Sequence, residues 1–110
     1  MHKFENFFKN LYSLGRTLPK NDKLGIYNRL ELTALNVYEL LISAAFAPKQ
    51  SKSVLLQNIR IKVEITKRII RLMSDLKIIN NRQYYNLQND LQEISKMANG
   101  WQKYLSIKKP

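Results

Sequence analysis

Apolar side chains return every three or four positions through most of this chain, and the rhythm fails in only a few places. Between about His2 and Arg16, Phe4, Phe7, Phe8, Leu11 and Leu14 line one face, with Leu18 continuing it, the spacing of an amphipathic helix. A second segment is predicted from about Asp22 to Ala45, its stripe made of Leu24, Tyr27, Leu30, Ala34, Tyr38, Leu41 and Ala45. Asp22 stands where the positive end of a helix dipole favours a carboxylate. The third segment, from about Lys52 to Leu76, carries Leu56, Ile59, Val63, Ile70 and Met73 along one side. The fourth follows Asn80, a favourable N-cap with Gln83 at capping-box spacing, and runs through Tyr84, Leu87, Leu91, Ile94, Ala98, Trp101 and Leu105. Pro19 and Pro48 fall in the interruptions, Pro48 within a break from Ala47 to Ser51, and Pro110 ends the chain.

The third segment has a second stripe, Val54, Ile61, Ile65, Leu72 and Leu76. It widens the apolar arc to roughly 200°, against the ~100° that packing on one side requires. The second segment is similarly broad through Ile26, Leu40 and Ala44. The β-branched run of the third segment would suit a strand, but its length and unbroken helical period outweigh that. Four amphipathic segments joined by short loops predict an all-α, up-down-up-down four-helix bundle, with residues 1–110 as one domain. Apolar arcs wider than one bundle covers predict self-association.

Composition narrows the function. A chain of 110 residues that is 45% hydrophobic builds a core and is too apolar for a disordered basic tail. At this length roughly 65% of the unfolded surface is buried, enough for one core without a deep, elaborated cleft. Cysteine is absent, which removes disulfides, thiolate metal sites and Cys nucleophiles. The single histidine, His2, lies at the start of the chain, and no Glu has a His three residues later, so His-based metal sites, di-iron bundles and Arg-His ribonuclease bundles are excluded. Gly15, Gly25 and Gly100 are isolated and build no phosphate loop, and Glu64, between Arg60 and Arg68, reads as an ion-pair partner. No enzyme, cofactor or metal is expected. The first residues lack an unbroken apolar run and no stretch approaches ~20 apolar residues, so a soluble cytoplasmic protein is expected.

Charge supplies the positive signal. Lys and Arg number 19 against 8 Asp and Glu, a formal net charge of +11, which attracts polyanions whatever the detailed contacts. Arg60, Lys67 and Arg71 fall in a narrow sector of the third segment, opposite its apolar arc, with Arg68 beside them, a stripe along which a phosphate backbone fits. A second group, Arg16, Lys20 and Lys23, surrounds the first turn; Lys49 and Lys52 mark the second, and Lys103, Lys108 and Lys109 the C-terminus. The aromatics Phe4, Phe8, Tyr27, Tyr38, Tyr84 and Trp101 sit on core stripes, so phosphate contacts, not base stacking, are expected from RNA or DNA.

Leu18 to Ile26, reading LPKNDKLGI, resembles the Pro-Lys turn between the first two helices of the accessory variability determinant (Avd) proteins of diversity-generating retroelements. Residues Ile69 to Trp101, IIRLMSDLKIINNRQYYNLQNDLQEISKMANGW, resemble that family's end of helix three, its short turn, its Gln-Tyr and its closing Gly-Trp. The resemblance implies a homopentamer of four-helix bundles that binds nucleic acid and the retroelement's reverse transcriptase and supports mutagenic cDNA synthesis and retrohoming without chemistry of its own. The bundle family encoded by intervening sequences of 23S ribosomal RNA genes has a similar Pro-containing first turn and leaves a structural interaction protein as the alternative.

Overall fold

The computed structural model describes residues 2–107, all of it helix and connecting turns, with no strand among the described residues. The elements are α1 (His2–Gly15), a single turn and a half of helix α2 (Lys20–Leu24), α3 (Ile26–Phe46), α4 (Lys49–Asp75) and α5 (Asn81–Ile107). The four long helices alternate in direction, and α3 packs on α4, α4 on α5, α5 on α1, and α1 on α3, closing the bundle. The expected four-helix bundle is therefore present.

The core is the one the periodicity marks out. Phe4, Phe7, Leu11 and Leu14 of α1, Leu56, Ile59, Val63, Ile70 and Met73 of α4, and Leu87, Leu91, Ile94 and Ala98 of α5 are buried together. On α3 the buried side is Tyr27, Leu30, Ala34, Val37, Leu41 and Ala44. Two residues of the predicted stripe, Leu24 and Ala45, are exposed instead. The reason for Leu24 is a break: the predicted continuous helix from Asp22 is interrupted at Gly25, whose φ of −95° and ψ of −111° redirect the chain. A Cβ there would lie 3.0 Å from the Asn21 carbonyl oxygen, so the close approach suits glycine. Beyond the break Tyr27, Leu30, Ala34 and Leu41 are buried as predicted, and the stripe takes the three-residue step to Val37 and to Ala44 where the prediction took four to Tyr38 and Ala45.

The second interruption is shorter than predicted, because α4 begins at Lys49, directly after Pro48. Ala47 is extended, at φ −74° and ψ 151°, as a residue before proline tends to be. Between α4 and α5 the chain turns by a Schellman arrangement: Ile78 N–H donates to the Met73 carbonyl at 2.9 Å and Lys77 N–H to that of Ser74 at 3.0 Å. Lys77 adopts the left-handed φ of 61° this motif needs. Asn80 and Gln83 then form a reciprocal capping box, Gln83 N–H to Asn80 Oδ1 at 2.8 Å and Asn80 N–H to Gln83 Oε1 at 2.9 Å.

α1 is fixed at both ends. Near its start Phe4 stacks on Tyr38, ring centres 5.1 Å apart, while the Tyr38 hydroxyl donates to Glu5 Oε2 at 2.9 Å. Near its end Gly15 leaves room for the Tyr27 ring, which a Cβ would overlap. The Tyr27 hydroxyl reaches over to donate to the Leu11 carbonyl at 3.1 Å. Lys3 with Glu93 at 3.4 Å, and Asn10 with Asp90 at 3.1 Å, join α1 to α5. No helix among the described residues is long and apolar enough to cross a membrane.

Candidate nucleic-acid interface

Helix geometry sets what each face of α4 presents. At about 100° per residue, Leu56, Ile59, Val63, Ile70 and Met73 point into the bundle, and Arg60, Lys67 and Arg71 come next on the side toward α5. The shared sector expected from the sequence is thus real, but its setting differs. The outward ridge opposite the core carries Val54, Ile61, Ile65, Leu72 and Leu76, all exposed, with Val54 at 64% and Leu72 at 53%. The basic row lies on the flank between core and ridge, not opposite the apolar arc, because that arc is split into a buried and an outward part.

The flank faces a shallow polar groove between α4 and α5. One stretch is lined by Gln57, Arg60, Glu64, Lys67, Gln92 and Asn99, and it continues past Lys67 to Arg71, Asp75, Tyr84 and Gln88. Arg60 Nη1 donates to Gln102 Oε1 at 3.0 Å, and Lys67 Nζ to Gln92 Oε1 at 3.1 Å. Gln88 Nε2 caps the arrangement by donating to the Lys67 carbonyl at 3.0 Å. Neutral amides orient these cations without neutralising them, so their charge remains available to an anion. Arg71 makes no ion pair or side-chain hydrogen bond with the described residues. The α5 glutamines are partners the sequence reading did not single out, although Gln88 and Gln92 recur at a helical spacing beside the Leu87–Leu91 stripe.

Arg68 sits at the outer rim of the same groove, which it lines beside Arg71 and Leu72. It is 79% exposed, pairs with Glu64 at 3.4 Å along its own helix, and stands among Ile61, Ile65 and Leu72 on the outward ridge. Glu64 thus takes Arg68, while Arg60 turns to α5.

The second group occupies the end of the bundle where α1 finishes and α5 begins. Arg16, Lys20 and Lys23 are exposed and make no ion pair or side-chain hydrogen bond with the described residues. Ser13 and Thr17 of this end share an open amide-rich groove with Gln83, Asn86 and Asn89 of α5. That brings Arg82 to the same end, a cation that gave no signal in the linear pattern. At the opposite end Lys52 lies over the Trp101 ring, 5.6 Å from its centre. Lys108 and Lys109 lie outside the described residues.

The aromatics divide as charge and burial demand. Phe4 and Tyr27 are buried, and Phe8, Tyr38, Tyr84 and Trp101 are half-buried against the core. Tyr27 is held protonated well above its ordinary range, first by burial and then by the neighbouring Glu31 carboxylate. Among the described residues no three His, Cys, Asp or Glu side chains come together as a metal site would need.

The arrangement is a row of oriented cations along a groove with a second cationic group at one end, chemistry suited to a chain of phosphates. The family model described as bAvd-like matches residues 1–105. A search of curated proteins finds no match.

Proposed function

The chain belongs to the bAvd-like family, and from that premise we propose that it is a non-catalytic accessory protein of a diversity-generating retroelement. In this reading residues 1–110 form one four-helix-bundle domain that assembles as a homopentamer in the cytoplasm. It binds the reverse transcriptase and the RNA template or DNA, and so supports mutagenic cDNA synthesis and retrohoming. The family match over nearly the whole chain carries the reading, and the net charge of +11 supports a polyanionic partner. Arg60, Lys67 and Arg71 along the α4/α5 groove are the principal phosphate contacts, with Arg16, Lys20 and Lys23 as a second group. Arg68 sits at the edge of the first row.

Two measurements test the reading separately. Coexpressed reverse transcriptase from the same element is expected to copurify with this protein; repeated failure to do so removes the enzyme from the proposal. Reversing Arg60, Lys67 and Arg71 together is expected to weaken binding to template RNA or DNA by at least about a hundredfold at low salt, because a charge-assisted bond to phosphate contributes on the order of 1 kcal/mol or more. Unchanged affinity would remove the groove.

A further inference from the structure

Both α3 and α4 turn apolar side chains away from their own bundle. On α3, Leu32, Leu35, Ile42 and Phe46 are exposed, Phe46 at 87%, and Glu39 stands among them. On α4 the counterpart is the ridge of Val54, Ile61, Ile65, Leu72 and Leu76, with Arg68 among them. Each set keeps the three-and-four spacing of a coiled-coil seam and lies opposite that helix's buried side. The apolar excess on α3 is not where Ile26, Leu40 and Ala44 predict it: Ala44 is buried, and Ile26 and Leu40 pack against the core of the same chain.

Charge decides what covers the ridges. α4 carries seven Lys or Arg against two acidic residues, and α3 one Arg against two Glu. Two α4 ridges brought together would set basic helices and their Arg68 side chains against one another, and two α3 ridges would oppose Glu39 to its own copy. Only α3 against α4 places opposite charges beside an apolar seam.

We propose that the outward ridge of α3 in one copy of this chain packs on the outward ridge of α4 in the next. The contact is heterologous, one patch against a different patch, so it propagates from copy to copy. Neighbouring corners of a four-helix bundle point about 90° apart, and a head-to-tail contact closes after four copies when each turns through about 90° and after five when each turns through about 72°. The inference rests on the reading of the protein as a ring and adds to it the two surfaces that meet. Arg68 then belongs to the contact between copies, while Arg60, Lys67 and Arg71 keep their groove beside α5.

Two double variants test it. Leu32→Asp with Phe46→Asp spoils the α3 ridge, and Ile61→Asp with Leu72→Asp spoils the α4 ridge; all four side chains lie outside the core, and circular dichroism checks that each variant folds. By native mass spectrometry each variant alone is expected to be monomeric, and an equimolar mixture to give a one-to-one heterodimer, since one intact ridge of each kind remains. A mixture that stays monomeric while the unmodified protein assembles overturns the pairing and leaves the ring; a variant that still self-associates overturns it also. A monomeric unmodified protein removes ring and pairing together. Arg68→Glu, which deletes no apolar contact, is expected to raise the monomer fraction at least tenfold at low salt, and an unchanged distribution counts against the charge pairing.

Discussion

Gly15 and Tyr27 are complementary shapes on α1 and α3, and the fit explains two properties of single residues. Replacing Gly15 by alanine drives a methyl group into a ring that is itself buried and hydrogen-bonded. Overpacking of this kind costs about 1–3 kcal/mol, so Gly15→Ala is expected to lower the urea midpoint with its slope unchanged. Tyr27 also gives the fold an alkaline limit. Its folded hydroxyl ionises above the ordinary value of 10.0, chiefly because of burial. The stability it contributes is complete below that value and is lost as pH rises past it, because only the unfolded chain then readily releases the proton. Tyr27→Phe is expected to make the fall in melting temperature above about pH 10 shallower, a comparison that leaves lysine titration common to both proteins. At Lys77 the backbone is left-handed, a conformation costing a side-chain-bearing residue about 1 kcal/mol that glycine avoids. Lys77→Gly is expected to raise the urea midpoint accordingly.

At the scale of elements, the ends of the helices do as much as their faces to fix the hairpin of α4 and α5. The Schellman turn closes one helix and the Asn80–Gln83 box opens the next within a few residues. Asn80→Ala removes one of the two reciprocal bonds and is expected to cost about 1 kcal/mol in chemical unfolding. This box, the buried sides of α1 and α5, and the presence of four long helices are all legible in the sequence, because capping chemistry and hydrophobic period are local. Leu24 is misplaced because a glycine in a helical run is compatible with either a continuous helix or a break, and only the approach to Asn21 decides; Ala45 is misplaced because steps of three and of four both suit a helical stripe, and the packing takes Ala44. The basic row is legible as a sector of α4. Its amide partners on α5 are not, since they depend on which helix lies alongside and at what height. Nor does periodicity say which of two apolar stripes on α4 is inside; packing against α3 and α5 settles that.

For the whole molecule, the place of Arg68 at the rim of the groove, paired with Glu64, has a measurable consequence. Binding of a nucleic acid backbone weakens with salt by a slope of roughly 0.7–0.9 per phosphate neutralised. Arg71→Ala is expected to lower that slope by the share of about one phosphate, and Arg68→Ala by less when compared at equal subunit count, because Glu64 already pairs with Arg68. The described residues span 53 × 21 × 20 Å, and α1, at 14 residues, runs along only about half the length of the 27-residue α4 and α5. Its polar ties to α5, from Lys3 to Glu93 and from Asn10 to Asp90, join residues 90 and 80 positions apart. The α3–α4 and α4–α5 interfaces close through short turns, and α1 reaches α3 through a short connection as well, so only the contact of α1 with α5 closes a loop nearly as long as the chain. The contact of α1 with α5 is thus expected to form last, and Leu11→Ala should accelerate unfolding more than it slows refolding. Copies that meet through α3 and α4 need not wait for that event: a bundle whose first helix has not yet closed on α5 already owns both surfaces by which it recognises its neighbours.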